Sequence, residues 1–183
     1  MVGRMKIGSL GLIGGLTLAL ASGAMAGGFG LSARRSTDHP QVKQGVLLVQ
    51  VEGCHGPGAT VTATAEGIVN GSRRSLPLRL TKVGTDAAGN VTYALRRQWP
   101  ATGVWVLSLT GVAHLPAANG KGEAITCRAM LELGPHNTLP AARDGEGNDL
   151  PLRYISDVKE VQATLRTLAS KGKQSAALTR SAR

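Results

Sequence analysis

The chain has 183 residues, 42% of them hydrophobic but only 3% aromatic, and a formal net charge of +10. Its core must therefore be built from Val, Leu, Ile and Ala, and ~150 residues suffice to bury about two thirds of the unfolded surface. The basic excess favours anionic partners, but nucleic acid is not expected among them. Sequence-tolerant nucleic-acid binders add stacking aromatics to a basic groove, and Phe29, Tyr93, Trp99, Trp105 and Tyr154 are not interleaved with the pairs Arg34-Arg35, Arg73-Arg74 and Arg96-Arg97.

Residues 1–26 read as a cleavable signal peptide. Arg4 and Lys6 form a positive start, Ile7 to Ala21 is uncharged and apolar, and Ala24-Met25-Ala26 gives the small-x-small pattern that places the cut between Ala26 and Gly27. The apolar run is short and Gly-rich for a span, which wants ~20 strongly apolar residues. The expected location is periplasmic or secreted, with no stable membrane span after cleavage. Residues 27–43, Gly- and Ser-containing and charged, are expected to form a flexible leader.

From 44 to 134 the pattern has period two, which sends alternate side chains to opposite faces of a strand. Six strands are expected. Their inward sets are Leu47, Val49 and Val51; Val61, Ala63 and Ala65; Leu76, Leu78 and Leu80; Val91, Tyr93 and Leu95; Trp105, Leu107 and Leu109; and Ile125, Cys127, Ala129, Leu131 and Leu133. Pro77 has no N–H to give a ladder, so its strand belongs at an edge or carries a bulge. Asn70-Gly71 predicts a tight hairpin, because both residues tolerate positive φ. Strands separated by turns, each with one apolar face, predict two antiparallel sheets packed on one core.

Residues 135–154 are polar and turn-rich and predict a loop. Ile155, Val158, Val161, Leu165 and Leu168 then recur at three and four, predicting an amphipathic helix over 155–171 that docks on the sheets. Asp157 and Glu160 have the spacing of a capping box. Gly172 is expected to end the helix, leaving 172–183 as a disordered basic tail.

The stretch Tyr93 to Leu109 (YALRRQWPATGVWVLSL) resembles the paired late strands of small exported immunoglobulin-like proteins, such as the YtkA-like and FixH-like periplasmic domains. Ala63 to Leu80 also resembles uncharacterised exported envelope proteins. The resemblance implies a mainly β fold, an antiparallel immunoglobulin-like β-sandwich with a C-terminal α-helix. Trp105, Tyr93 and Leu107 are its expected core.

Cys54 and Cys127 are the only two cysteines. An even count in an exported domain predicts a disulfide. A copper site using Cys54 and His55 is the alternative, since thiolate and imidazole suit Cu(I). Its further ligands would have to come from His39, His114 or His136, and Met130 is the only Met beyond the signal segment. Asp144 to Asp149 offers oxygens at alternating positions, but a calcium loop needs Gly sixth and Glu twelfth, where this chain has Asp149 and Ile155. No nucleophile elbow is present, and no cofactor is expected. The expected function is a non-enzymatic binding or structural module of the bacterial envelope, contacting an envelope protein or an anionic envelope polymer. The alternatives are a metal-handling accessory protein and a hydrolase with a loop-built site.

Overall fold

A computed structural model describes residues 28–36, 47–53, 58–114, 122–143 and 149–181, with side chains as far as residue 172. The expected signal segment, its Ala26/Gly27 cleavage point, Cys54 and His55 lie outside the described residues. Among those residues the chain forms nine strands: β1 (Phe29–Arg35), β2 (Leu47–Gly53), β3 (Thr60–Val69), β4 (Ser72–Leu78), β5 (Leu80–Thr85), β6 (Val91–Leu95), β7 (Val104–His114), β8 (Ala124–Glu132) and β9 (Arg153–Tyr154). One helix, α1 (Val158–Ser181), follows them.

The period-two pattern builds two antiparallel sheets. One has the order β1-β2-β6-β5, the other β4-β3-β7-β8-β9. The inward residues of both meet in one core. Leu47, Val49 and Val51 from β2, Ala65 from β3, Leu95 from β6, Leu107 and Leu109 from β7, and Ala129 and Leu131 from β8 are all fully buried. Each large aliphatic side chain taken from water contributes ~1.5–3 kcal/mol. Trp105 is the largest buried side chain. Its ring lies over Gly67, its register partner on β3, where a Cβ would come within 2.4 Å of the indole. The indole N–H donates to Thr102 O at 2.7 Å. Leu107 is equally buried, and Tyr93 packs half-buried at the edge of the same core.

The β3–β4 hairpin turns on Asn70 and Gly71, both with positive φ, as the dipeptide predicts. β4, which carries Pro77, is an edge strand.

Several expectations are corrected. Residues 27–43 are not simply a flexible leader: 29–35 form β1, whose Phe29, Leu31 and Ala33 are buried in the core. The run Leu76, Leu78 and Leu80 is not one strand. β4 pairs with β3 and β5 pairs with β6, so the chain changes sheets at Arg79. Alternation continues through the change because both strands send their leucines towards the shared core. The expected loop 135–154 contains a 3-10 turn at Pro135–Asn137 and β9. The helix begins at Val158 and passes through Gly172 to Ser181, so 172–183 is not a disordered tail throughout. One Gly costs ~1 kcal/mol in a helix and does not by itself end one.

The helix start follows the capping box. Asp157 Oδ1 accepts from Lys159 N at 2.9 Å, while Glu160 Oε1 accepts from Asp157 N at 3.3 Å and Ser156 N at 2.8 Å. These bonds, those of Ser156 foremost, hold the Glu160 carboxyl below its ordinary pKa. Val161 and Leu165 pack with Ile155 on Val106 and Met130, and Ile68, Val104 and Leu168 border the contact. The helix thus covers the outer face of the five-stranded sheet. Val158, expected in the buried stripe, is half exposed.

The segment from Asp149 to Ile155 joins the two sheets at their edges. Arg34 pairs with Asp149 at 3.1 Å, and Leu150 N donates to Ala33 O at 2.8 Å. Tyr154 then pairs on β8 opposite Ala129, while its phenol reaches β1. The free edge of β1 is thereby covered, which removes a template for strand addition.

Candidate functional site: an arginine-lined cleft

With α1 over one outer face, no described helix or strand packs on the outer face of the four-stranded sheet. Leu48, Val83 and Ala94 form a small apolar cluster there. At its end Arg79, Thr81, Arg96, Arg97 and Gln98 rise around a cleft of about 410 Å³, floored by Val83 and Ala94.

The local fold positions these residues. Arg79 is the single residue between β4 and β5, where the chain changes sheets. Its backbone lacks a strand partner at that point, and the Gln98 side chain supplies one. Arg79 N donates to Gln98 Oε1 at 3.0 Å, and Gln98 Nε2 donates to Arg79 O at 3.0 Å. Arg96 and Arg97 follow the end of β6. Continuing the β5–β6 register one step past Leu80 and Leu95 sets Arg79 opposite Arg96.

Behind the cleft, Trp99 and Asn137 are both buried. The Trp99 indole N–H donates to Asn137 O at 3.0 Å. Asn137 Nδ2 lies 3.3, 2.9 and 3.1 Å from the carbonyl oxygens of Pro100, Ala101 and Gly103. His136 and Asn137 both have positive φ, which costs more for these residues than for Gly and is held in place by the bonds just described. The Arg97 guanidinium donates to Trp99 O at 3.4 Å and His136 O at 3.3 Å. Both acceptors are neutral carbonyls, so these bonds do not compensate the charge of Arg97.

Among the described residues, ion pairs join Arg34 to Asp149, Arg73 to Glu66, Arg153 to Glu160 and Lys159 to Asp157. Arg79, Arg96 and Arg97 take part in none of them. Chemically, the cleft gathers arginines and positive charge over an apolar floor, suited to holding an oxyanion.

The sequence-predicted site residues fall elsewhere. Cys127 is a buried thiol on the core face of β8, and burial pushes its pKa up. His114 and His136 are exposed at the end of β7 and in the 3-10 turn. Met130 is fully buried beneath α1, so its sulfur is part of the packing. No group of three or more His, Cys, Asp or Glu able to hold a metal occurs among the described residues. The strand carboxylate of Glu66 accepts from Arg73 at 3.2 Å and from Ser75 at 2.8 Å.

Sequence reading missed the cleft because Arg79 and Arg96 lie far apart in the chain. The usable signal was the pairing of β5 with β6, which brings the two together. No helix among the described residues is long and apolar enough to cross a membrane. Comparison with known proteins finds no matching family model, no matching curated protein and no matching solved structure.

Proposed function

We propose that the protein is an exported, non-enzymatic binding module of the bacterial envelope that holds an anionic polymer against the open face of its four-stranded sheet. The observation that carries this reading is the arginine cleft. Arg79 and Arg96 line one cleft, and one further step of the β5–β6 register sets them opposite each other; neither is ion-paired among the described residues. Like charges opposite one another across a hairpin are unfavourable, and their presence here supports a binding use for the face. The expected signal segment supports export.

An immunoglobulin-like architecture is the finer fold reading. The order β1-β2-β6-β5 runs as A-B-E-D of that fold, and β4-β3-β7-β8 runs as C′-C-F-G, with β9 added at the edge.

A Cys54–Cys127 disulfide would staple this domain. Gly53 is the register partner of Phe29. The Phe29 ring lies within 3 Å of where a Cβ on Gly111 would sit, and Gly111 is the register partner of Cys127. These relationships put the strand that leads into Cys54 on the same stretch of core as the strand of Cys127.

The binding reading is tested with two variants of equal net charge. Arg79→Gln/Arg96→Gln removes the cleft pair, and Arg74→Gln/Arg128→Gln removes two exposed arginines elsewhere. Saturable binding to soluble polyphosphate or polyglutamate, weakened about tenfold or more only in the cleft variant, supports the proposal. Equal loss in both variants reduces the affinity to net charge and contradicts it.

A further inference from the structure

We propose that the cleft formed by Arg79, Arg96 and Arg97 is a phosphoryl-binding site that selects phosphate groups over carboxylates. This deepens the anionic-ligand reading above and rests on it.

The first argument is stoichiometric. Arg79, Arg96 and Arg97 all line one cleft. A carboxylate brings one charge and two oxygens and is satisfied by a single guanidinium fork. A phosphoryl group carries about −1.5 to −2 and presents three strong acceptor oxygens. Three arginines lining one cleft match the second count and exceed the first.

The second argument is preorganisation. Gln98 holds the Arg79 backbone through both ends of its amide. The carbonyls of Trp99 and His136 hold the Arg97 guanidinium, and the Trp99–Asn137 bond fixes those carbonyls in turn. A backbone and one guanidinium fixed before the ligand arrives leave less freedom to lose on binding, which raises affinity.

The third argument is the floor. Ala94 is buried, Val83 is half-buried, and both line the cleft between the arginines. Apolar walls lower the local dielectric and strengthen charge-assisted hydrogen bonds made above them. The Thr81 hydroxyl at the rim adds a neutral donor.

The test uses inorganic phosphate and malonate, titrated separately into the purified protein at neutral pH and matched ionic strength. The amide 1H–15N shifts of Thr81, Val83, Ala94 and Gln98 are followed. Malonate is a dicarboxylate with at least as much charge as phosphate, so a preference for phosphate reports geometry and not charge alone. The expected result is saturable shifts at these amides, about tenfold tighter for phosphate. They should be abolished by Arg79→Gln/Arg96→Gln and kept in Arg74→Gln/Arg128→Gln. Arg96→Lys keeps the charge, removes the fork, and should lower the phosphate preference with the spectrum otherwise unchanged. Equal or tighter binding of malonate overturns phosphoryl selection and leaves the anion-binding reading standing. Absence of saturable cleft shifts with either anion overturns the phosphoryl site, and failure of polyphosphate and polyglutamate to engage the cleft overturns the broader reading separately.

Discussion

The Tyr154 hydroxyl stands where a neighbouring strand would stand beside Leu31. It accepts from Leu31 N at 3.1 Å and donates to Leu31 O at 2.7 Å. One phenol thus satisfies both backbone groups of an edge residue, and it does so from the far edge of the opposite sheet. Burial raises the Tyr154 pKa, which keeps the hydroxyl protonated and able to donate. Tyr154→Phe keeps the ring and removes both bonds. The expected cost is about 1–2 kcal/mol in urea unfolding, with faster amide exchange at Leu31.

Trp105 packs its ring directly over Gly67 on the neighbouring strand. Gly67→Ala would drive a methyl group into the indole, and overpacking of this kind costs about 1–3 kcal/mol. The expected outcome is a lowered Tm together with an altered near-ultraviolet tryptophan signal, since the ring itself must move.

α1 belongs to the core. Leu165→Ala is expected to cost about 2–5 kcal/mol, because it opens a gap between the helix and the Val106–Met130 surface. A cost near zero in thermal unfolding would make the helix a dispensable attachment. Asp157→Ala removes the cap and is expected to cost about 1 kcal/mol.

The pH dependence follows from Glu160. Its folded pKa is depressed, chiefly by the Ser156 hydrogen bonds, so the folded state binds fewer protons at this group than the unfolded chain. Its contribution is complete above the ordinary glutamate pKa and is lost as pH falls through the depressed folded value. Glu160→Gln should flatten the acid limb of the stability profile and lower the neutral and alkaline plateau without changing its slope.

Asn137 holds the turn behind the arginines. Asn137→Ala leaves the Pro100, Ala101 and Gly103 carbonyls without the amide that joins them. The expected cost is about 1–3 kcal/mol, and anion binding at the cleft should weaken with it, because the turn that presents Trp99 O and His136 O to Arg97 loses its Asn137 amide bonds. The measurement is urea unfolding alongside the phosphate titration.

The two sheets and the Asn70-Gly71 hairpin were legible because alternation at period two and a positive-φ dipeptide are local signals. The capping box was legible for the same reason. β1 was harder. Phe29, Leu31 and Ala33 alternate, but over three positions only and amid Gly, Ser and Arg. The sheet change at Arg79 left no mark because Leu78 and Leu80 both face the core. Ile68, Val104, Val106 and Met130 occupy the outward parity of their strands, and that excess of apolar residues was the available sign that α1 covers the sheet. β9 is two residues long and has no periodicity to read. The cleft depends on pairing between strands, which no single segment encodes.

The central claim is that the open sheet face carries the binding function. The most direct measurement is an amide-shift map of the protein titrated with polyphosphate. The account predicts saturable shifts confined to Arg79, Thr81, Val83, Ala94 and residues 96–98. Shifts centred on α1, or spread evenly over all exposed basic residues, would contradict it.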